Sequence, residues 1–263
     1  MYGLIGIFFV SILLLGMFLF MELGFKMGKA RSETTASSFK SHVKAIQASM
    51  LSILALLLGF TFSFALQNHD ARIQAVTAEA NALGTAYLRT ELLPKNLQKA
   101  VQASLLQHLE ARIAQSESSP TDIVTLEQLK QKRALIESQL WSYATQAAEI
   151  DKNTVATGYF IKSLNESLDA ATTTKTRIYR KVPEIIYILL FISLVLVAAI
   201  LGYSTGLDGR RITFASSSLV VLTALVVLVI VDLDAPGRGT IRVNYDNLTQ
   251  LQQSIQSKHI DGK

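Results

Sequence analysis

The chain has 263 residues, half of them apolar and only 17% charged, with a positive mean hydropathy. An ordinary soluble domain carries about 25% charged residues, so this composition points to a membrane protein. Cysteine is absent, which excludes disulfides, zinc–thiolate sites and thiol catalysis. The net charge is +5, but the cations sit beside apolar runs, as they do where membrane spans meet anionic lipid. The clustered footprint of a nucleic-acid-binding surface is missing. The predicted partner is the lipid bilayer, with no nucleic acid.

In chain order, residues 1–25 are predicted as a first transmembrane helix. The segment from Met1 to Met21 has no charge, no basic leader and no small-residue cleavage site, so it reads as an uncleaved span rather than a signal peptide. Gly24 and Gly28 have the spacing that admits a neighbouring helix, and a plain helix end would use them equally well. Residues 26–44 are predicted as a basic loop, with Lys26, Lys29, Arg31, Lys40 and Lys44 against Glu33.

Span two, residues 45–68, carries no charged residue. It continues without a helix breaker into a polar segment. There Ile73, Val76, Ala80, Leu83 and Tyr87 form one apolar stripe, and Pro94 is the first residue able to stop the helix. The spacing predicts one long rod, part in lipid and part in water.

Residues 69–182 read as an amphipathic helical bundle of four segments. The second stripe is Leu97, Val101, Leu105, Leu109 and Ile113. The third runs from Leu126 through Ile136 and Leu140 to Ile150, and the fourth from Ile161 through Leu164 to Val182. Ser119 and Pro120 have the N-cap and first-turn pattern for the third segment. Span three is predicted at 183–207, a short loop at 208–211 and span four at 212–231. In span four the hydroxyls of Ser216, Ser217 and Ser218 suit helix–helix contact. Residues 232–263 are predicted as a polar tail, with an amphipathic piece around Leu248, Leu251 and Ile255. The predicted fold class is an all-α membrane protein, four transmembrane helices with a long helical-bundle extension between spans two and three.

Catalytic chemistry has no foothold. His42, His69, His108 and His259 lack metal-ligand spacing, and there is no phosphate-binding glycine loop or nucleophile elbow. The chain is therefore read as no enzyme, with no catalytic residues, cofactor or metal. Glu110, Arg112 and Glu137 lie on amphipathic helices and read as a solvated face.

Three constellations remain. Leu56, Phe60 and Phe64 recur every four residues along span two. They suit a hydrophobic pore constriction, or equally a face toward lipid or a neighbouring helix. Asp70, Arg72, Arg177, Arg180, Asp232 and Asp234 lie where spans two, three and four meet one interface. They read as a salt-bridge collar, with an ion vestibule or a divalent-cation site at the aspartates as alternatives. Glu79, Asn81, Tyr87 and Arg89 follow in the polar half of the rod. Glu79 and Asn81 point to different faces, whereas Asn81 and Arg89 share one, and a buried network that sets packing register is expected.

The runs LLGFTF (Leu57 to Phe62), EANALGTAYLR (Glu79 to Arg89) and LLP (Leu92 to Pro94) resemble the bestrophin-like domain family of bacterial and plant-organelle membrane proteins. RKVPEI (Arg180 to Ile185), LGYSTGLDGRR (Leu201 to Arg211) and DLDAPGRGTIRV (Asp232 to Val243) are similar too. Ala235 departs from the pattern, standing where the family usually has arginine. A Leu-Gly-Phe in span two is also similar to true bestrophins, which are pentameric anion channels with cytosolic soluble helices.

Four spans place the N-terminus, the bundle and the tail on one face. No basic residue precedes span one and five follow it. This asymmetry puts the short loops in the cytoplasm and the bundle in the periplasm of a bacterial inner membrane; the bestrophin resemblance implies the reverse. One bundle is too small to enclose a pore. The functional expectation is therefore a homo-oligomeric ion channel, anion-conducting by resemblance, with span two around the pore and ions as passing partners. The alternative is a non-conducting scaffold or sensor whose bundle binds a partner.

Overall fold

The computed structural model describes residues 3–118, 122–150, 154–209, 213–235 and 241–261. Every regular element among them is helical: α1 Gly3–Lys29, α2 Ser37–Arg89, α3 Lys95–Glu117, α4 Ile123–Ile150, α5 Thr154–Tyr179, α6 Glu184–Leu207, α7 Thr213–Asp234 and α8 Asp246–Asp261. A 3-10 turn, Thr90–Leu92, follows α2. Four of the helices, α1, α2, α6 and α7, are long and apolar enough to cross a membrane. The chain forms two compact units, one of residues 1–69 and 181–242, the other of 70–180 and 243–263.

The first unit holds the apolar helices. Leu13 and Met17 of α1, Leu54 of α2, Leu190 and Leu194 of α6, and Val220 and Val227 of α7 make its core. In lipid the apolar tails are no worse a solvent than leucine, so helices associate through close packing. α1 and α6 lie parallel and meet on glycine. A Cβ on Gly24 or Gly28 would collide with the backbone of Ala199 or Tyr203, and one on Gly202 or Gly206 with that of Met21 or Phe25. The glycine pair of α1 is thus a helix contact, not merely a helix end, and Gly202 and Gly206 are its counterpart. Of the three α7 hydroxyls expected at helix contacts, Ser216 is buried, Ser217 half-buried and Ser218 exposed. Pro183 stands at the N-cap of α6, where its missing N–H costs nothing.

The second unit is the helical bundle. Val101, Leu105 and Leu109 of α3 are fully buried against Leu140 and Ala147 of α4, Phe160 and Leu164 of α5 and Val76 of α2. The segment predicted as a polar tail belongs here. Val243, Leu248 and Ile255 enter the same core, Leu251 packs over Gly84, and the Asn247 amide donates to the Thr77 hydroxyl at 2.8 Å. The tail is therefore a fifth helix of the bundle.

Several boundaries differ from expectation. Lys26 and Lys29 lie in the last turn of α1, and Lys40 and Lys44 in α2, so only residues 30–36 form the connection. α2 closes at Arg89, before Pro94, through a tightened turn that buries Thr90. The N-terminus of α4 is capped by Asp122, whose carboxylate accepts from the Thr125 N–H at 3.0 Å. The expected cap at Ser119 and Pro120 lies outside the described residues.

Candidate functional site

α2 is one helix of 53 residues, about 80 Å at 1.5 Å per residue. Its interior has no proline, and Gly59 and Gly84 are too few to break it. Exposure along it is periodic. Ser49, Ser52, Leu56, Gly59, Phe60 and Ser63 are exposed, whereas Leu54, Thr61 and Ala65 face the protein. Phe60 is 67% exposed and Leu56 59%, a large open apolar surface on this helix. Phe64 differs from its two partners. It is half-buried against the cluster of Ala65, Val182, Ile230 and Leu233. The three residues therefore do not form a uniformly open stripe, because Phe64 is rotated toward α7.

Residues of the expected collar have distinct anchors. Asp234 is buried, and its carboxylate accepts from the Val182 N–H at 2.9 Å and from the Tyr187 hydroxyl at 3.2 Å, tying α7 to the entry of α6. Asp232 accepts from the Ile241 N–H at 2.8 Å. Arg72 is fully buried, and its Nη2 donates to the Arg180 carbonyl at 2.6 Å. Arg177 and Asp70 are exposed. Much of what these charges hold is backbone, which a sequence reading in terms of ion pairs does not anticipate. Among the described residues no three acidic or histidine side chains gather as metal ligands.

The buried polar network of the bundle starts from Glu79. Its carboxylate takes two bonds from Arg112, at 2.7 Å from Nε and 3.3 Å from Nη2, with both side chains almost wholly buried. The Tyr245 ring covers the Arg112 guanidinium at 5.4 Å. Beside them Arg133 bonds Gln115 at 2.9 Å and Glu137 at 3.3 Å. His108, only 3% exposed, lies with Nδ1 3.7 Å from the same Glu137 oxygen. Burial, together with the Arg133 and Arg112 guanidinium charges, pulls the His108 pKa down to about 3, so the imidazole is neutral.

Glu79 thus lies in a buried polar network, whereas Asn81 does not. Asn81 is exposed, two residues along on the opposite side of the helix. Arg89 reaches α5, donating to the Tyr159 carbonyl at 3.2 Å and lying over the Tyr159 ring. Tyr87 is buried, and burial, with the Glu91 charge beside it, raises its phenol pKa. Arg112, read from sequence as solvated, is an interior residue, and Glu137 is half-buried. Sequence reasoning weighed His108 only as a metal ligand and did not single out Arg133 or Tyr245. One signal was present: His108 and Arg112 interrupt the face that carries Leu105 and Leu109, so a polar pair was placed on a core-facing stripe.

Four membrane-length apolar helices and a soluble bundle fed by the continuation of the second define a multi-pass membrane protein with the bestrophin fold. The bestrophin-like domain model matches residues 8–248, and the chain belongs to that family. Two crystal structures of a bacterial bestrophin homologue from Klebsiella pneumoniae, each a single-residue variant, share the fold. One aligns with a TM-score of 0.67 at 15% identity, covering 94% of this chain and 96% of that one. The other aligns at 0.68 and 13% identity, covering 94% and 98%. Among curated proteins, no sequence matches this chain.

Proposed function

We propose that the protein is a homo-oligomeric ion channel of a bacterial inner membrane, with α2 of each copy around a shared axis. The observation that carries this is the open face of α2, where Leu56 and Phe60 stand exposed beside Ser49, Ser52 and Ser63. Membership of the bestrophin-like family and the likeness of fold to a bacterial bestrophin homologue support it. Bulky apolar side chains at a pore neck oppose ion passage by dewetting, and hydroxyls on the same helix keep the rest of the path wet. Phe60 and Leu56 form the constriction, and half-buried Phe64 buttresses it from behind. The resemblance to true bestrophins implies anions, and the charge carried by the open face of α2 sets the sign that passes here. Asp234 ties α7 to the entry of α6, and Arg72 holds the Arg180 carbonyl at the base of the bundle.

The test is ion flux from liposomes holding the purified protein. Leu56, Phe60 and Phe64 replaced together by alanine should raise flux, with Phe60→Ala accounting for more of the gain than Phe64→Ala. Flux that is absent in both parent and variant would favour the non-conducting scaffold instead.

A further inference from the structure

If α2 lines a pore, as proposed above, its exposed face says which ions pass. A helix turns about 100° per residue, so residues three and four apart share a face. On α2 one exposed face is continuous from Ser38 to Leu88, through both the apolar and the polar halves of the helix. Around Leu56, Gly59 and Phe60 it presents mainly hydroxyls and amides: Ser49, Ser52, Ser63, Gln67, Gln74 and Asn81 are all exposed on it. These groups offer oxygen and N–H dipoles alike and do not discriminate by sign.

Charge on α2 is placed differently. Lys40 is half-buried on the opposite side of the helix, and Lys44 pairs with Asp208 at 2.9 Å. Arg72 is fully buried, with its guanidinium on the Arg180 carbonyl. Glu79 is locked to Arg112, and Arg89 is held on Tyr159. Besides Arg89, which shares the Asn81 side at the far end of the face and is held on Tyr159, Asp70 is the formal charge on this face, and it is exposed. In a chain with 25 lysines and arginines and a net charge of +5, a face this long whose one cation is tied to another helix is a selective placement. His42, near the loop end of the face, is the one other titratable group on it.

We propose that Asp70 is the charge-selecting residue of the conduit, repeated in each copy as a ring of carboxylates that admits small inorganic cations and repels anions. Rings of acidic side chains favour cations, and rings of arginine or lysine favour anions. The carboxylates act on any ion within a Debye length, about 8 Å at physiological salt. The cation nearest this face, Arg89, is held on Tyr159, away from the anion preference implied by the wider bestrophin resemblance.

The experiment is the reversal potential of the reconstituted full chain under a potassium chloride gradient. The parent should reverse toward the potassium equilibrium potential. Asp70→Asn should lower the cation-to-anion permeability ratio by about tenfold, and Asp70→Arg should invert it, since each copy's charge adds to the field at the axis. Asp70 is exposed, so neither variant is expected to disturb packing, and equal thermal midpoints check this. Flux with an anion-directed reversal in the parent, or a ratio indifferent to both substitutions, would overturn the inference and leave the channel reading standing. Absence of flux under every condition would overturn the channel reading, and the inference with it.

Discussion

At the residue scale the most constrained group is His108, an imidazole between two arginines in the bundle interior. Its folded pKa, about 3, lies well below the ordinary 6.5. Folding therefore favours the neutral form. The resulting stability is complete above about pH 6.5 and is lost as pH falls toward 3, because the unfolded chain gains a proton that the folded one refuses. One proton per chain sets a ceiling of about 1.4 kcal/mol per pH unit. Acidifying the detergent-solubilised protein from pH 6.5 to 5.5 should thus lower its thermal midpoint by roughly 2–4 °C more than in His108→Gln. Equal slopes in parent and variant would show that His108 titrates normally. Glu79 and Arg112 illustrate the same interior. Two charges are removed from water, and their bidentate geometry fixes how α2 meets α3. Nothing in the sequence pairs residues 79 and 112, because that contact joins two stripes whose relative rotation only packing decides.

At the element scale, most of the architecture was legible because it follows from hydrophobic periodicity and chain breakers. The run from Ala45 to Asn68 with no charge and no proline, joined to the stripe from Ile73 to Tyr87, predicts a continuous α2, and the helix is continuous. Pro183 marks the start of α6 to the residue. The glycines of α1 were ambiguous for a physical reason. A small residue is informative only when its partner is known, and the partner here is the Gly202–Gly206 pair almost 180 residues away. The last helix was misjudged because α8 is polar on average. Its apolar residues, Leu248, Leu251 and Ile255, fill a narrow slot over α2 and α3, which short-range pattern cannot locate. Leu56, Phe60 and Phe64 were legible as a stripe on α2, but the rotation of Phe64 into the packing of α7 was not.

At the scale of the whole molecule, two claims remain open to direct measurement, its orientation and its assembly. The basic residues gathered where α1 passes into α2, Lys26, Lys29, Arg31, Lys40 and Lys44, favour a cytoplasmic connection and a periplasmic bundle. Alkaline phosphatase fused after Ala114 should then be active and a fusion after Ser37 inactive; the reverse pattern would place the bundle in the cytoplasm, as in bestrophins.

The central claim is that the open face of α2 meets the same face of other copies around an axis. The chain has no cysteine, so a single introduced thiol reports on one position alone. Phe60→Cys and, as a control on α1, Leu15→Cys, which is 70% exposed, can be treated in native membranes with a short thiol-to-thiol cross-linker. Covalent dimers are expected from Phe60→Cys, with Leu15→Cys remaining monomeric. A monomeric Phe60→Cys that is instead modified by a lipid-dissolved maleimide as readily as Leu15→Cys would contradict it.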